Sequence, residues 1–557
     1  MTLDQTASLP AALLEFLPVR NIPVRAWLLA LLSSGLQILI FPKTSFYFLS
    51  WVALAPLLYA LLRGRGGAGE LVDSEGRTLR PFTVWQGFLL GWFNGVLWYL
   101  GMCYWVYPVM HGYGHVDAFS SVLITLAFCL VMGLHHGAFG FFVVLLARRS
   151  SFGNRRPLML APFFWVAIEF FRERATPVFW EPLGNSQADN IPFARIAQLT
   201  GVYGLSFAIM LVNSAFVAAM LLRGKQRRNL LLTALTAAIA LQIGVLARPA
   251  PAPAAREAVL LQHNAPVLDA PWTQDYADQT LRELAQLSMN ALPPHPPGSP
   301  GLIVWPESPA PFIVGDRNFQ TWLAEIARST NSYLVIGSTT LDQELRGQPP
   351  GSPAPMYNSA LVVDPSGRPL GRYDKIHLVP FGEYVPMRDL LFFASKLTRE
   401  VGDFSRGTER FVFDLNGAKI GVFICYESIY PSEVRQFAAN GAQVLINISD
   451  DGWFGNTGAP FHHLQMGRMR AIENHRWVLI STNSGITASV DPDGRVVTQA
   501  PRNVRTALVA PFNVENEVTF YTRFGDVFAW ICVVISILAI IVRWRFKART
   551  MIEAPTT

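Results

Sequence analysis

KIGVFICYESIY, residues 419–430, joins a strand signal, a turn signal and a reactive atom. Ile420 to Ile424 form a short apolar, partly β-branched run that reads as a buried strand. The run stops at Cys425-Tyr426-Glu427-Ser428, and Pro431 prevents its smooth continuation. A thiol at the tip of a buried strand, before a sharp turn, is held rigidly and stays reachable. On these residues alone a buried packing cysteine is an equal reading, since free Cys is among the most buried residue types.

The remaining 545 of the 557 residues bear on that choice. The chain is 51% hydrophobic and 15% charged, with a mean hydropathy of +0.29, which points to membrane spans joined to a soluble part. The apolar residues fill the first 250 positions and a short C-terminal piece. The 38 Phe and 15 Trp gather near the ends of apolar runs, as residues anchored at a bilayer interface do. The formal net charge of +6 comes from short Lys/Arg clusters between those runs, with no interleaved aromatics on a soluble face. Nucleic acid is therefore excluded as a partner.

The first apolar run, Ala26 to Pro42, has no A-x-A cleavage site after it, and a second run follows at once. It reads as an uncleaved span rather than a signal peptide. Further spans are expected near 46–62, 83–107, 119–147, 157–172, 200–222, 229–247 and 525–543, about eight in all. Basic residues follow every second span: Arg63, Arg65, Arg77 and Arg80; Arg148, Arg149, Arg155 and Arg156; Arg223, Lys225, Arg227 and Arg228; Arg543, Arg545 and Lys547. This places those loops and both termini in the cytoplasm, and the large segment between spans seven and eight outside, in the periplasm of a bacterium.

The linker PAPAP (249–253) marks a boundary. Three parts are expected: a transmembrane bundle over 1–248, an extracytoplasmic domain over 256–515, and a last span with a cytoplasmic tail over 524–557. In the middle part, strands are expected at 258–262, 301–305, 333–337, 359–363, 420–424, 444–448 and 477–482. Helical stretches such as 319–329 and 431–440 lie between them, the pattern of a layered α/β domain.

Of four cysteines, Cys103, Cys129 and Cys532 lie in expected spans and read as packing residues. Cys425 is then alone in an oxidising compartment, without a disulfide partner, and catalysis is the leading reason to keep it. A thiol nucleophile needs a base or a lowered pKa. Glu307 (in WPES) and Lys375 (in YDKIHLVPFGEYVP) each stand just beyond an expected strand, as Cys425 does. Each alone reads as a solvated surface charge; the three in order read as a site.

The order Glu307, Lys375, Cys425 resembles the triad of the nitrilase superfamily. Together with the apolar spans it resembles the apolipoprotein N-acyltransferase family, its membrane-embedded members. The resemblance extends through NISDDGWFG (447–455), FHHLQMGRMRAIENHRW (461–477) and STNSGITASVDPDG (481–494), and more loosely through the membrane part. It implies an α-β-β-α sandwich on a polytopic helical bundle, and acyl transfer from a phospholipid, with phosphatidylethanolamine the expected donor. The acceptor it implies is the N-terminal amine of an S-diacylglyceryl cysteine in a lipoprotein. By matching positions, Glu307 is implied as base, Lys375 as charge stabiliser and Cys425 as acylated nucleophile. Glu383, Tyr426, Glu427 and Trp272 are implied as supporting residues. The loop RATPVFWEPLGNSQ (174–187) only approximates the aromatic-rich segment of the family.

Neither metal nor cofactor is required by this scheme, and a monomer is expected. His462 and His463 read as structural histidines at a helix start, and Asp450 and Asp451 as turn residues beside the site. Arg470, Glu473 and Arg476, at i, i+3 and i+6, read as ion pairs on a helix. The apolar cluster Leu390, Leu391, Phe392, Phe393 and Leu397 reads either as a core helix or as a lid dipping toward the bilayer. Two other readings share these residues: a membrane-tethered amidase that passes the acyl group to water, and a non-catalytic lipid-binding protein.

Overall fold

The computed structural model describes residues 22–552 apart from 64–70, 73–77, 80, 149–155, 222–223, 247–249, 267–272, 292–299, 308–311, 342–353 and 385–403. Helices lie in every expected apolar run: α1 (Val24–Leu39), α2 (Ala55–Arg63), α3 (Val84–Met102), α4 (Ala118–Met132) continued by α5 (Leu134–Ala147), α6 (Arg156–Ala175), α7 (Val202–Leu221), α8 (Gly224–Ile243) and, after the strand-rich middle part, Val527–Ile552. Among the described residues, four helical stretches are long and apolar enough to cross a membrane: Ala118–Ala147, Val202–Leu221, Lys225–Leu246 and Val527–Arg545.

Local chemistry explains the shape of the bundle. The Thr83 hydroxyl accepts from Gln86 N at 3.2 Å and Gln86 Oε1 from Thr83 N at 3.1 Å, a reciprocal cap that starts α3. Small residues on α3 and α5 then let two backbones touch: a Cβ on Gly91 would sit 2.2 Å from His136 O, and one on Gly140 2.2 Å from Gly87 O. The second expected span is not one helix but two short turns, Tyr47–Leu49 and Ser50–Ala53, followed by α2. The interruption frees backbone donors inside an apolar bundle, and Asn213 of α7 meets them, its Oδ1 accepting from Leu54 N and Ala55 N at 2.9 Å each.

The domain after the linker holds two six-stranded sheets. Its strands are β1 (Arg256–Gln262), β2 (Gly301–Val304), β3 (Ser332–Leu341), β4 (Met356–Val363), β5 (Pro369–Asp374), β6 (Val412–Leu415), β7 (Ala418–Ile424), β8 (Val444–Ser449), β9 (Trp477–Thr482), β10 (Ala488–Val490), β11 (Val496–Gln499) and β12 (Thr506–Phe512). One sheet runs β12-β1-β2-β3-β4-β5 and the other β11-β10-β9-β8-β7-β6, each with a parallel centre and antiparallel edges. Alternation along β1 divides the layers. Val259 and Leu261 pack with Leu284 and Leu323 of helices α9 (Gln274–Asn290) and α10 (Arg317–Thr330), while Ala258 and Leu260 join the core shared with the second sheet. Helices α11 (Pro431–Ala439) and α12 (Ala459–Asn474) cover that second sheet. Ser481 Oγ, donating to Leu261 O at 2.8 Å, ties sheet to sheet. The expected α-β-β-α sandwich is thus observed.

All seven expected strands are present. The other five are β5, β6, β11 and β12, partly exposed strands at sheet edges, and the interior β10 of only three residues, all with alternation too brief or irregular to register. The expected ion pairs of α12 are half right. Arg470 Nη2 meets Glu473 Oε1 at 2.9 Å, with both side chains fully buried. Arg476 lies past the helix, after His475 in left-handed conformation, and donates to the carbonyl of Ala442 at 2.8 Å rather than to Glu473.

The bundle and the domain are joined by buried polar contacts. Glu473 Oε1 also accepts from Val202 N at the start of α7 (2.9 Å), and Glu173 of α6 accepts from Ser432 N (3.1 Å). Arg195 makes a two-pronged contact with Asp493 at 2.8 Å per prong. Replacing Arg470 by Met removes the cation from a buried pair, and the Arg470→Met chain is expected to lose about 3–5 kcal/mol of stability. A thermal unfolding scan in detergent micelles, with the midpoint lowered by many degrees, is the expected result.

Candidate active site

Strand direction brings the candidate residues to one edge. β2 and β3 are parallel, β3 and β4 antiparallel, and β4 and β5 antiparallel, so the ends of β2 and β5 and the beginning of β4 coincide. Glu307 follows β2, Lys375 follows β5, and Asn358 stands near the start of β4. The facing sheet contributes Cys425 at the end of β7 and Asp450 after β8.

At the centre is Lys375, 1% exposed. Its Nζ donates to Glu307 Oε1 and to Glu383 Oε1, each at 3.0 Å. Asn358 Nδ2 donates to the same two oxygens at 2.7 Å each. Backbone donors complete both carboxylates: Asp450 N to Glu307 Oε2 at 2.9 Å, and Val379 N to Glu383 Oε2 at 2.7 Å. Burial alone would lower the Lys375 pKa, but Glu307 and Glu383 outweigh it and hold the ammonium well above its ordinary range. Burial pushes Asp450 up to about 7, and Glu307 adds to the rise.

Cys425 opens a short helical turn, Cys425–Ile429, and has φ +49°, a strained conformation for a residue with a Cβ. Burial drives its thiol well above the usual range and Glu307 pushes it further; Lys375 pulls the other way and does not win. The resting sulfur is a thiol beside a carboxylate and an ammonium. Its deprotonation therefore needs a general base at the moment of attack.

The supporting residues fall into distinct places. Glu427, fully buried, shapes the nucleophile turn: its Oε2 accepts from Ile424 N at 2.7 Å. Its Oε1 accepts from Tyr373 OH and Ile376 N at 2.7 Å each, and from His377 N at 3.0 Å. It thereby ties the turn to the loop that carries Lys375. Tyr426 points away from the carboxylates; its OH and that of Tyr430 both donate to Pro177 O at 2.5 Å, in the loop after α6. The segment 174–187, read as an imperfect match, is thus the floor under the nucleophile turn. Trp272 and the Leu390–Leu397 cluster lie outside the described residues. Among the described residues no group of three or more His, Cys, Asp or Glu could hold a metal ion.

Sequence reading missed Asn358, which bridges both carboxylates and sits near the start of a strand with nothing to distinguish it from other strand Asn residues. Asp450 and Asp451 are turn residues beside the site, as expected. His462 meets Trp180 Nε1 and the Pro42 carbonyl, whereas His463 meets Asp451 Oδ1 at 2.8 Å and Cys425 O at 3.0 Å.

An α-β-β-α sandwich carrying Glu, Lys and Cys at adjoining strand ends defines a thiol enzyme of the carbon-nitrogen hydrolase class, and residues 268–517 match the carbon-nitrogen hydrolase family. Residues 33–215 match the apolipoprotein N-acyltransferase N-terminal domain. The chain is 34% identical over 524 residues to a relative named apolipoprotein N-acyltransferase from Geobacter metallireducens, covering 92% of this chain and 94% of that one. A relative of the same name from Sinorhizobium medicae is 32% identical, with 93% and 96% covered. An amidase from Nesterenkonia sp. of known structure is 19% identical over 48% of this chain and 94% of that one, with a TM-score of 0.33. The chain belongs to the apolipoprotein N-acyltransferase family, acyltransferases whose carbon-nitrogen hydrolase domain is joined to apolar helices.

Asn358→Leu keeps the side-chain volume but leaves two buried carboxylate oxygens one donor short. It is expected to cost about 1.5–3 kcal/mol, the range for hydrogen bonds to charged groups. Denaturant unfolding of the purified chain checks this, with an unchanged midpoint counting against it.

Proposed function

We propose that the chain transfers a fatty acyl group from a phospholipid, through a thioester on Cys425, to the N-terminal amine of an S-diacylglyceryl cysteine in a lipoprotein. The observation that carries this reading is the buried Glu307–Lys375–Glu383 cluster beside Cys425, in a domain whose nucleophile turn rests on a loop of the apolar bundle. A water-soluble substrate gives no reason for that seating, and a lipid ester does. Phosphatidylethanolamine is the donor this reading takes, and a monomer is its working unit.

Glu307 accepts the Cys425 thiol proton as sulfur attacks the ester carbonyl. Lys375 Nζ and the N–H of Tyr426 stabilise the oxyanion; loss of one such donor costs on the order of 10²–10³ in rate. Collapse of the adduct breaks the ester C–O bond, and the leaving alkoxide takes the proton from Glu307, releasing lysophospholipid. The lipoprotein amine then attacks the thioester, Glu307 takes its proton, and the departing sulfur recovers it. Glu383 holds Lys375 in place through its shared oxygen and its bond to Val379 N.

The apolar helices and alternating basic loops support a bacterial inner-membrane protein with about eight crossings. In that arrangement residues 1–248 form the main bundle, 256–515 the periplasmic domain and 524–557 the last span and tail, with both termini in the cytoplasm.

The test is intact-protein mass spectrometry after incubation with phosphatidylethanolamine and no acceptor. A fatty-acyl adduct on Cys425 that a diacylglyceryl lipopeptide discharges is expected, and none on Cys425→Ser. Discharge by water at the same rate, indifferent to lipopeptide, would make the chain a hydrolase instead.

A further inference from the structure

Two buried residues beside the nucleophile, Asp451 and His463, have no part in the steps above. Asp451 Oδ1 accepts from Ser449 Oγ at 2.9 Å and lies 2.8 Å from His463 Nδ1. On the far side of the ring, Nε2 lies 3.0 Å from Cys425 O, which also takes Asn447 Nδ2 at 3.4 Å. A neutral imidazole has one donor nitrogen and one acceptor nitrogen. Here a carboxylate and a carbonyl, both acceptors, face the two nitrogens, so both carry hydrogen and the ring is an imidazolium paired to Asp451.

The Cys425 carbonyl belongs to the same peptide unit as the Tyr426 N–H. That unit is planar and trans, so a partner that fixes the carbonyl aims the N–H to the opposite side. The constraint has work to do because Cys425, at φ +49°, does not favour this orientation by itself. We propose that His463, clamped between Asp451 and the Cys425 carbonyl, is a positioning residue that aims the Tyr426 N–H at the oxyanion of the acyl-transfer step. This rests on the acyl-transfer reading and adds to it the support of the oxyanion site.

Three further features agree. Burial would lower the His463 pKa, but Asp451 and the Cys425 carbonyl outweigh it and raise it above 6.5. The groups facing the ring are Asp451 after β8, Cys425 after β7 and Glu307 after β2, with the Phe454 ring packed at 6.5 Å. Gly485, after β9, makes room for the pair: a Cβ there would stand 2.3 Å from Asp451 Oδ2.

Two reactions of Cys425 separate positioning from general support. Acylation by phosphatidylethanolamine forms an oxyanion; alkylation by iodoacetamide displaces iodide and forms none. Both are followed by intact mass on the full chain in micelles. His463→Asn keeps an amide donor toward Asp451 and loses the donor to Cys425 O; its acylation is expected to fall by about 10²–10³ while alkylation stays at the original rate. His463→Gln, whose amide reaches the Nε2 position, is expected to recover most of the acylation. Gly485→Ala displaces Asp451 with His463 intact and is expected to give the same split, so the test survives misfolding of a His463 variant. Acylation alone is expected to decline as pH rises past the folded pKa of His463, where the ring loses its second proton. Undiminished acylation by His463→Asn, or an equal fall of both reactions in a folded variant, would overturn the proposal. A failure of the unsubstituted chain to acylate while it still alkylates would overturn the acyl-transfer reading and this proposal with it.

Discussion

An ammonium removed from water is tolerated only where opposite charge and hydrogen bonds replace its hydration, and Lys375 sets that condition for the whole domain. Two carboxylates at 3.0 Å, from the ends of different segments, satisfy it. Those carboxylates in turn require Asn358 and two backbone N–H groups, so β2, β4, the loop after β5 and the turn after β8 must all close on one point. The cluster is both the candidate machinery and a clamp on the architecture. Its cost is shared by every strand that ends there.

The nucleophile turn is held in a comparable way from several sides. Glu427 inside the domain binds the Ile424 N–H just before the turn and the Ile376 and His377 N–H groups of the loop that carries Lys375, Tyr426 and Tyr430 reach down to Pro177 in the bundle's loop, and His463 takes the Cys425 carbonyl. A residue at φ +49° keeps that conformation only when its neighbours over-determine it. The bundle is therefore part of the support of Cys425 as well as a set of apolar helices. Displacing the loop around Pro177 removes two hydroxyl contacts from the turn at once.

Much of this is legible in the amino-acid sequence. The buried central strands read as continuous apolar runs because both faces of each are covered, and Glu307, Lys375 and Cys425 stood at run ends where a strand hands over to a loop. The other five strands were not legible because β5, β6, β11 and β12 are half-solvated edges with two or three alternations at most, and β10 has only three residues. Arg476 looked like one more member of a helical ion-pair ladder; only the left-handed turn at His475 takes it off the helix. Asn358 was invisible because an amide's value lies in what stands opposite it, and both of its partners come from other segments.

By itself the sequence determined the class: apolar runs that form helices, an α/β domain between them, and a lone thiol with a carboxylate and an ammonium at strand ends. Hydrophobic period and residue chemistry are local properties, and the chain carries them unfolded. The tertiary structure alone decided which oxygen receives which proton donor, which way Tyr426 faces and that both nitrogens of His463 meet acceptors. Those facts depend on ångström distances between residues far apart in the chain, 143 positions for the bond from Asp450 N to Glu307 and 249 for that from Tyr426 to Pro177. A hydrogen bond weakens steeply with misplacement, so only the packed layers can specify it.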